Sequence, residues 1–357
     1  MKKVIICISG FISIIIIVSC ITLLLYYNGI KAVGNDKTDV PFEVMEGKTY
    51  YTIAGDLYKA GLIKSEFWYK VYIKLNKTSS IKKGVYVLRK NMTVSDIVDT
   101  LSKSSYDPNV INLTFKEGYN FYDIIDVITN NTNITEEDID GLLHNEEYIN
   151  GLIDKYWFIS EDIKNGDLYY ALEGYLYPNT YQFKNKDVSV EDVFNTLIAE
   201  MNKKLEPYKE AIEKSDYTPH QLLTLASIVE LEGINKDDRK DIAGVFYNRL
   251  EANMSLGSDV TTYYGSRVRM SERDLKTSEL SDNNGYNTRA SEMAGKLPIG
   301  PICSPSIESI EAVLNPNEHE YLYFVADKNQ KTYFTKNLDE HNAKIAELKK
   351  DGLWYEY

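Results

Sequence analysis

TPHQLLTLASIVELEG (218–233) is the stretch on which the reading turns. Thr218 is a side-chain cap, Pro219 suits the first helical position and Gly233 is a natural stop, so one helix is predicted over 219–232. At about 100° per residue, Leu222, Leu223, Leu225, Ala226, Ile228 and Val229 cover more than half of its circumference. Only Thr224 and Ser227 form a polar strip, so the helix should be mostly buried. Glu230 falls between Ala226 and Leu223, and Glu232 between Leu225 and Ile228. Each acid must therefore find a partner or stay partly protonated through desolvation. A raised pKa is what a general acid needs near neutral pH, whereas a helix-end ion pair is the plainer alternative for either glutamate.

Downstream, a second helix is expected over about Asp238–Asn253, with Arg249 inside the stripe Ile242, Val245, Phe246 and Leu250. A cation in that place calls for an anion, for which Glu230, Glu232 and Asp259 are the candidates. Asn248 beside it offers a donor and an acceptor. The polar stretch Ser255–Gly295 lacks apolar periodicity and reads as cleft-lining loop, carrying Asp259, Tyr286 and Asn287. A proline-stiffened segment follows (297–305), then a helix capped by Ser306, a strand at 321–326 and a terminal helix after Thr335. No phosphate loop or GxSxG motif occurs.

Upstream, 42–103 alternates strand-like and helix-like patterns and reads as a small α+β module. Glu117-Gly118 with Tyr122 and Ile124 weakly echoes Glu46-Gly47 with Tyr51 and Ile53. The acidic, Asn-rich run Asn130–Gly166 marks a border before Leu172. Val4–Tyr27 is a run of 24 residues without a charge. As a helix it is long enough for a hydrocarbon layer of about 30 Å. Lys2 and Lys3 put the N-terminus on the cytoplasmic side, and the apolar run past Cys20 favours a retained anchor over a cleaved leader or a lipidated Cys20. The expected organisation is a cytoplasmic tip and membrane helix (1–28), a mobile stalk (29–41), a small module (42–104), a connecting α+β region (105–171) and a catalytic domain (172–350). The fold class is α+β.

The chain has 357 residues, 43% of them apolar, with 40 Lys and Arg against 53 Asp and Glu and a net charge of −13. That balance repels a phosphate backbone, so nucleic acid is not the expected ligand. Three cysteines, two of them in the apolar run, cannot build a disulfide framework. Four scattered histidines with no HExxH pair give no metal motif, and no cofactor is expected. Twenty-nine tyrosines against 11 phenylalanines supply aromatic faces suited to sugar rings, though most are ordinary half-buried tyrosines.

LASIVELEG (225–233), AGVFYNRL (243–250), LGSDVTTYYG (256–265), YNTR (286–289), LPIGPICSP (297–305), YLYFVAD (321–327) and LDEHN (338–342) resemble, in order, the YceG-like endolytic murein transglycosylases. LEGYLYPNTY (172–181) resembles the opening of that family's catalytic domain, and EGKTYYTIAGDLYKAGLI (46–63) resembles its LysM-like N-terminal module. The resemblance implies an acid/base at Glu230, the glutamate closing SIVE. Three positions depart from the family pattern: Glu-Lys-Glu-Thr is Glu230-Leu231-Glu232-Gly233 here, a Gln is Gly257 and a Pro is Val260. Implied too are peptidoglycan glycan strands as substrate, cut with formation of 1,6-anhydro ends, and membrane-embedded peptidoglycan synthases as partners. Asn248, Arg249 and Asp259 are then expected around Glu230 and the sugar, with Tyr286 and Asn287 as subsite contacts. A muramidase using Glu232 or Asp259 to position water, and a non-catalytic wall-binding scaffold, are the competing readings.

Overall fold

The computed structural model describes residues 2–45, 47–76, 81–103, 110–233 and 235–354, with side chains from Ser13 onward. Cys7, Glu46 and the first part of the expected membrane run are thus outside the described residues or side chains. The chain divides into two compact units, Met1–Val110 and Ile111–Tyr357.

The first unit begins with helix α1, Lys2–Gly29. From Ile14 to Leu25 its large apolar side chains are exposed, Leu24 at 71%. Among the described residues no helix is long and apolar enough to cross a membrane. Strand β1 (Val40–Val44), helices α2 (Ala54–Lys59) and α3 (Glu66–Leu75), strand β2 (Gly84–Leu88) and helix α4 (Val94–Ser102) follow. The two strands pair antiparallel, Val40 opposite Leu88 and Val44 opposite Gly84. Phe42, Val44, Leu57, Tyr69, Tyr86, Leu88, Ile97 and Leu101 make its core. Thr93 caps α4 in a reciprocal box with Asp96. Helix α3 escaped the sequence reading because its start is marked only by the Ser65 cap and Phe67 on its surface is 63% exposed.

The expected stalk is not free. The Gly34 amide donates to Lys90 O (3.1 Å), Asn91 N to Asp36 O (3.1 Å) and Val94 N to Ile30 O (3.0 Å), while Arg89 pairs with Asp39 at 2.5 Å. One amide and two carbonyls that a solvated linker would leave to water are satisfied by residues 90–94, so residues 30–39 lie along the module.

The second unit runs β3 (Ile111–Thr114), α5 (Phe121–Asn131), α6 (Glu136–Leu143), α7 (Glu146–Lys155), β4 (Thr180–Phe183), α8 (Val190–Leu205), α9 (Lys209–Glu213), α10 (Pro219–Glu232), α11 (Arg239–Glu251), α12 (Asp259–Gly265), α13 (Thr277–Leu280), α14 (Ile307–Leu314), β5 (Tyr323–Ala326), β6 (Thr332–Thr335) and α15 (Leu338–Lys350). β3 pairs antiparallel with β4, and β5 with β6. Gly118 turns the chain from β3 towards α5 at φ +77°, as Gly47 does between β1 and α2 at φ +81°. The echo read in the sequence is thus a repeated left-handed glycine turn.

Residues on both sides of Leu172 share one core: Leu113, Phe121, Ile139 and Leu152 belong to the same cluster as Phe194, Ile228 and Phe246. The acidic run before Leu172 is the solvated face of α6 and α7, whose other face is buried in that core, so no separate core begins at 172.

Helix α10 has the limits its sequence prescribes. Thr218 and Gln221 form a capping box, and every residue from Leu222 to Val229 is buried. Gly233 ends the helix at φ −85°, so its need for glycine is spatial: a Cβ there would stand 2.6 Å from Arg239 Cγ. Helix α12 lies inside the stretch read as loop. Its buried face is Thr261, Thr262 and Tyr264 with Val260, hydroxyls rather than the aliphatic stripe by which helices are recognised. Thr218→Ala should cost about 1 kcal/mol by removing one half of the α10 box. Chemical denaturation checks this, and an unshifted midpoint would contradict it.

Candidate active site

The last turn of α10 carries its two glutamates in different directions, and their surroundings differ sharply. Glu230 is 5% exposed at its side chain. Its Oε1 accepts from Arg239 Nη2 at 2.8 Å; its Oε2 accepts from the Ser306 amide at 2.9 Å, Ser306 Oγ at 2.5 Å and Ser309 Oγ at 2.8 Å. Arg239 extends the network, donating to Gly233 O (3.2 Å) and Ser306 Oγ (2.7 Å). One carboxylate thus closes the start of α14 while its arginine covers the end of α10. Four hydrogen bonds, one of them from the buried Arg239 cation, occupy both oxygens and leave no open side for a sugar. The residue expected as acid/base thus lies in a buried ion pair, an arrangement that argues for a structural part.

Glu232 stands otherwise. Its Oε1 accepts a single hydrogen bond, 2.5 Å from Ser258 Oγ. Burial pushes its carboxyl group above the usual range, aided by the negative charge of Asp259 and opposed by Ser258, Arg289 and Arg249. A carboxyl group lifted by desolvation, with one hydroxyl to orient it, is shifted in the direction a general acid requires.

Ser258 is fixed from beneath. Its amide donates to Thr288 Oγ1 (2.9 Å), its carbonyl accepts from Thr261 Oγ1 (2.7 Å), and the two threonine hydroxyls meet at 2.8 Å. Gly257 adopts φ +62°, and a Cβ there would stand 3.2 Å from Arg249 Nη1. Beside this knot Asp259, at the first turn of α12, pairs with Arg289, and both remain open to solvent (54% and 41% exposed).

The other expected site residues divide. Arg249 comes near Glu232 but is anchored by carbonyls, donating to Leu322 O (2.6 Å) and Leu256 O (2.5 Å), with Tyr323's ring 5.1 Å from its guanidinium. The anion it was expected to need is replaced by aligned backbone dipoles and a ring face. Asn248 donates to His319 O (2.8 Å) and Tyr321 O (2.9 Å), holding the approach to β5. Tyr286 is fully buried, its hydroxyl accepting from the Tyr169 amide at 3.2 Å. Asn287 is fully buried as well, accepting from Thr262 Oγ1 (2.6 Å) and donating to Asp282 O (2.7 Å). Asn248, Tyr286 and Asn287 are therefore structural, because their polar atoms are spent on the backbone and on buried hydroxyls. Ser258, Thr288 and Arg289 were quoted within motifs without a role; the Ser-Asp step after a glycine was the signal available for the first. Among the described residues no group of three or more His, Cys, Asp or Glu side chains is placed to hold a metal ion.

An α+β unit with a desolvated acid at the end of a buried helix is the arrangement that comparison with known proteins then places in a family. The YceG-like family model matches residues 42–347, and the chain belongs to that family. It is 35% identical over 309 residues to the endolytic murein transglycosylase of Bacillus subtilis, covering 86% of this chain and 84% of that one. Identity is 34% over 332 residues to the endolytic murein transglycosylase of Streptococcus pneumoniae D39, with 88% of this chain but 59% of that longer protein matched. A crystal structure of a YceG-like protein from Listeria monocytogenes superposes with a TM-score of 0.61 at 31% identity, covering 86% of this chain and 99% of that chain.

Removing one partner of the Glu230–Arg239 pair strands a buried charge, so Arg239→Met should destabilise the second unit by about 3–5 kcal/mol. Glu230→Gln should destabilise it in the same direction. Equilibrium unfolding measures both, and a loss near zero for both would contradict the structural assignment.

Proposed function

We propose that the chain is an endolytic peptidoglycan lytic transglycosylase whose acid/base is Glu232. The observation that carries the proposal is the contrast at the end of α10, where Glu232 keeps a lifted, singly hydrogen-bonded carboxyl group and Glu230 has both oxygens consumed. The names of the relatives support the substrate class.

In the proposed reaction, protonated Glu232 donates to the oxygen of the β-1,4 bond between N-acetylmuramic acid and N-acetylglucosamine, and the bond to C1 breaks. The resulting carboxylate takes the proton of the muramic acid C6 hydroxyl, whose oxygen closes onto C1 as the 1,6-anhydro sugar. The proton lost in the first step is regained in the second, and no water is consumed. A single acid/base therefore suffices. Ser258 orients the carboxyl group, and Arg249 and the Asp259–Arg289 pair stabilise the carboxylate formed midway.

The exposed apolar face of α1 supports a membrane anchor with the N-terminus cytoplasmic and the catalytic unit on the outer side. The β1-α2-α3-β2 order of the first unit supports a LysM-like module that meets glycan. Cleavage of nascent strands beside the membrane would end glycan elongation, in partnership with membrane-embedded synthases.

Mass spectrometry of uncrosslinked strands treated with the protein should find 1,6-anhydro ends. Glu232→Gln should abolish them while keeping the fold, a rate loss of at least about 100-fold. Reducing ends instead would mean a hydrolase, and an active Glu232→Gln would end the assignment. Because the acid must start protonated, the rate should fall as pH rises through Glu232's lifted pKa, and Ser258→Ala, which removes the hydrogen bond favouring the carboxylate, should move that fall to higher pH. A pH–rate profile unmoved or shifted downward would contradict this.

A further inference from the structure

Glu173, in the loop between α7 and β4, is a second buried acid that the proposed chemistry does not use. It is 2% exposed. Its Oε2 accepts from the Phe121 amide at the start of α5 (2.9 Å) and from the Tyr264 hydroxyl of α12 (2.9 Å), while its buried Oε1 takes no hydrogen bond. Both of these donors meet the same oxygen.

The groups around it are mostly phenols. Tyr122 and Asp123 face it from α5, Tyr170 from its own loop, Tyr264 from α12, Tyr286 from the loop after α13, and the Cys303 thiol from the proline-rich segment. Arg267 acts on Tyr122 and Tyr170. Among the described residues no salt bridge reaches Glu173. Tyr264 itself is packed between Tyr169 (5.6 Å between centroids) and Tyr286 (4.8 Å). The helix that Glu173 grips through this hydroxyl is the one that opens with Asp259, directly after Ser258.

We propose that Glu173 is a positioning residue for the cleavage reaction: through the Phe121 amide and the Tyr264 hydroxyl it ties α12 to α5 and so holds Ser258 and Asp259 at Glu232, and ionisation of this acid, buried among aromatic rings, opens that joint to water. The proposal rests on the transglycosylase reading for its functional half. Burial pushes the Glu173 carboxyl up to about 8, against the pull of the Phe121 and Gly174 amides and the Tyr264 hydroxyl. Ionisation strengthens the two hydrogen bonds to Oε2 but leaves a buried charge with no paired cation among the described residues, a state relieved by water entering between α5 and α12.

The test compares the full-length wild type with Glu173→Gln, an uncharged variant of the same shape, in detergent micelles. Glu232 is common to both, so the ratio of their cleavage rates isolates Glu173. That ratio should be constant below about pH 7 and climb about tenfold in favour of the variant by about pH 9, one unit above the titration. A flat ratio overturns the proposal. Thermal melting supplies a readout independent of activity. The folded-state pKa lies above the unfolded one, so the wild type should lose stability relative to Glu173→Gln as pH rises from the ordinary glutamate range to about 8, and the two should run parallel above it. If the wild type releases no product at any pH, the functional reading fails and melting decides the rest: curves parallel throughout overturn the titration of Glu173, and the expected divergence supports it.

Discussion

The ion pair of Glu230 with Arg239 is the constraint on which the site depends. It joins three helices at one point: Glu230 belongs to α10, Arg239 opens α11, and Ser306 and Ser309 belong to the start of α14. A buried pair of this kind adds little net stability over apolar packing, but it admits few geometries, since both charges must stay matched and hydrogen-bonded. It therefore sets the direction in which the last turn of α10 leaves the core. Two residues further on, that direction delivers Glu232 to Ser258.

Two acids on one helical turn thus divide the work by environment alone. Glu230 is desolvated and fully compensated; Glu232 is desolvated and compensated by one hydroxyl. Their roles follow from the number of donors each meets, which the sequence does not contain. Behind Ser258 the same logic recurs in a layer of hydroxyls, where Thr261 and Thr288 satisfy each other and the backbone without charge.

What could be read from the chain without coordinates was what local chemistry dictates. The limits of α10 follow from Thr218, Pro219 and Gly233, and the burial of its faces follows from aliphatic spacing. The Ser306 cap was likewise plain, and the strand expected at 321–326 forms at 323–326. Helix α12 was hidden because it buries threonine and tyrosine, and its partners Thr288 and Glu173 are distant in sequence. The pairing of Glu230 was hidden for a related reason: whether a buried glutamate is paired depends on Arg239 and on Ser306, 76 residues away. Asn248, Tyr286 and Asn287 looked like binding residues because they are polar or aromatic in a polar stretch. Their partners turned out to be buried hydroxyls and main-chain carbonyls and amides.

The central claim is that Glu232 holds a proton where an ordinary glutamate has lost it. Infrared difference spectroscopy of wild type against Glu232→Gln, followed across pH, reads that proton directly. A protonated carboxyl signal that persists above the pH at which an ordinary glutamate ionises, absent from the variant and titrating together with the cleavage rate, is the result this account requires. A Glu232 that ionises in the ordinary carboxylate range while the rate follows some other group would contradict it.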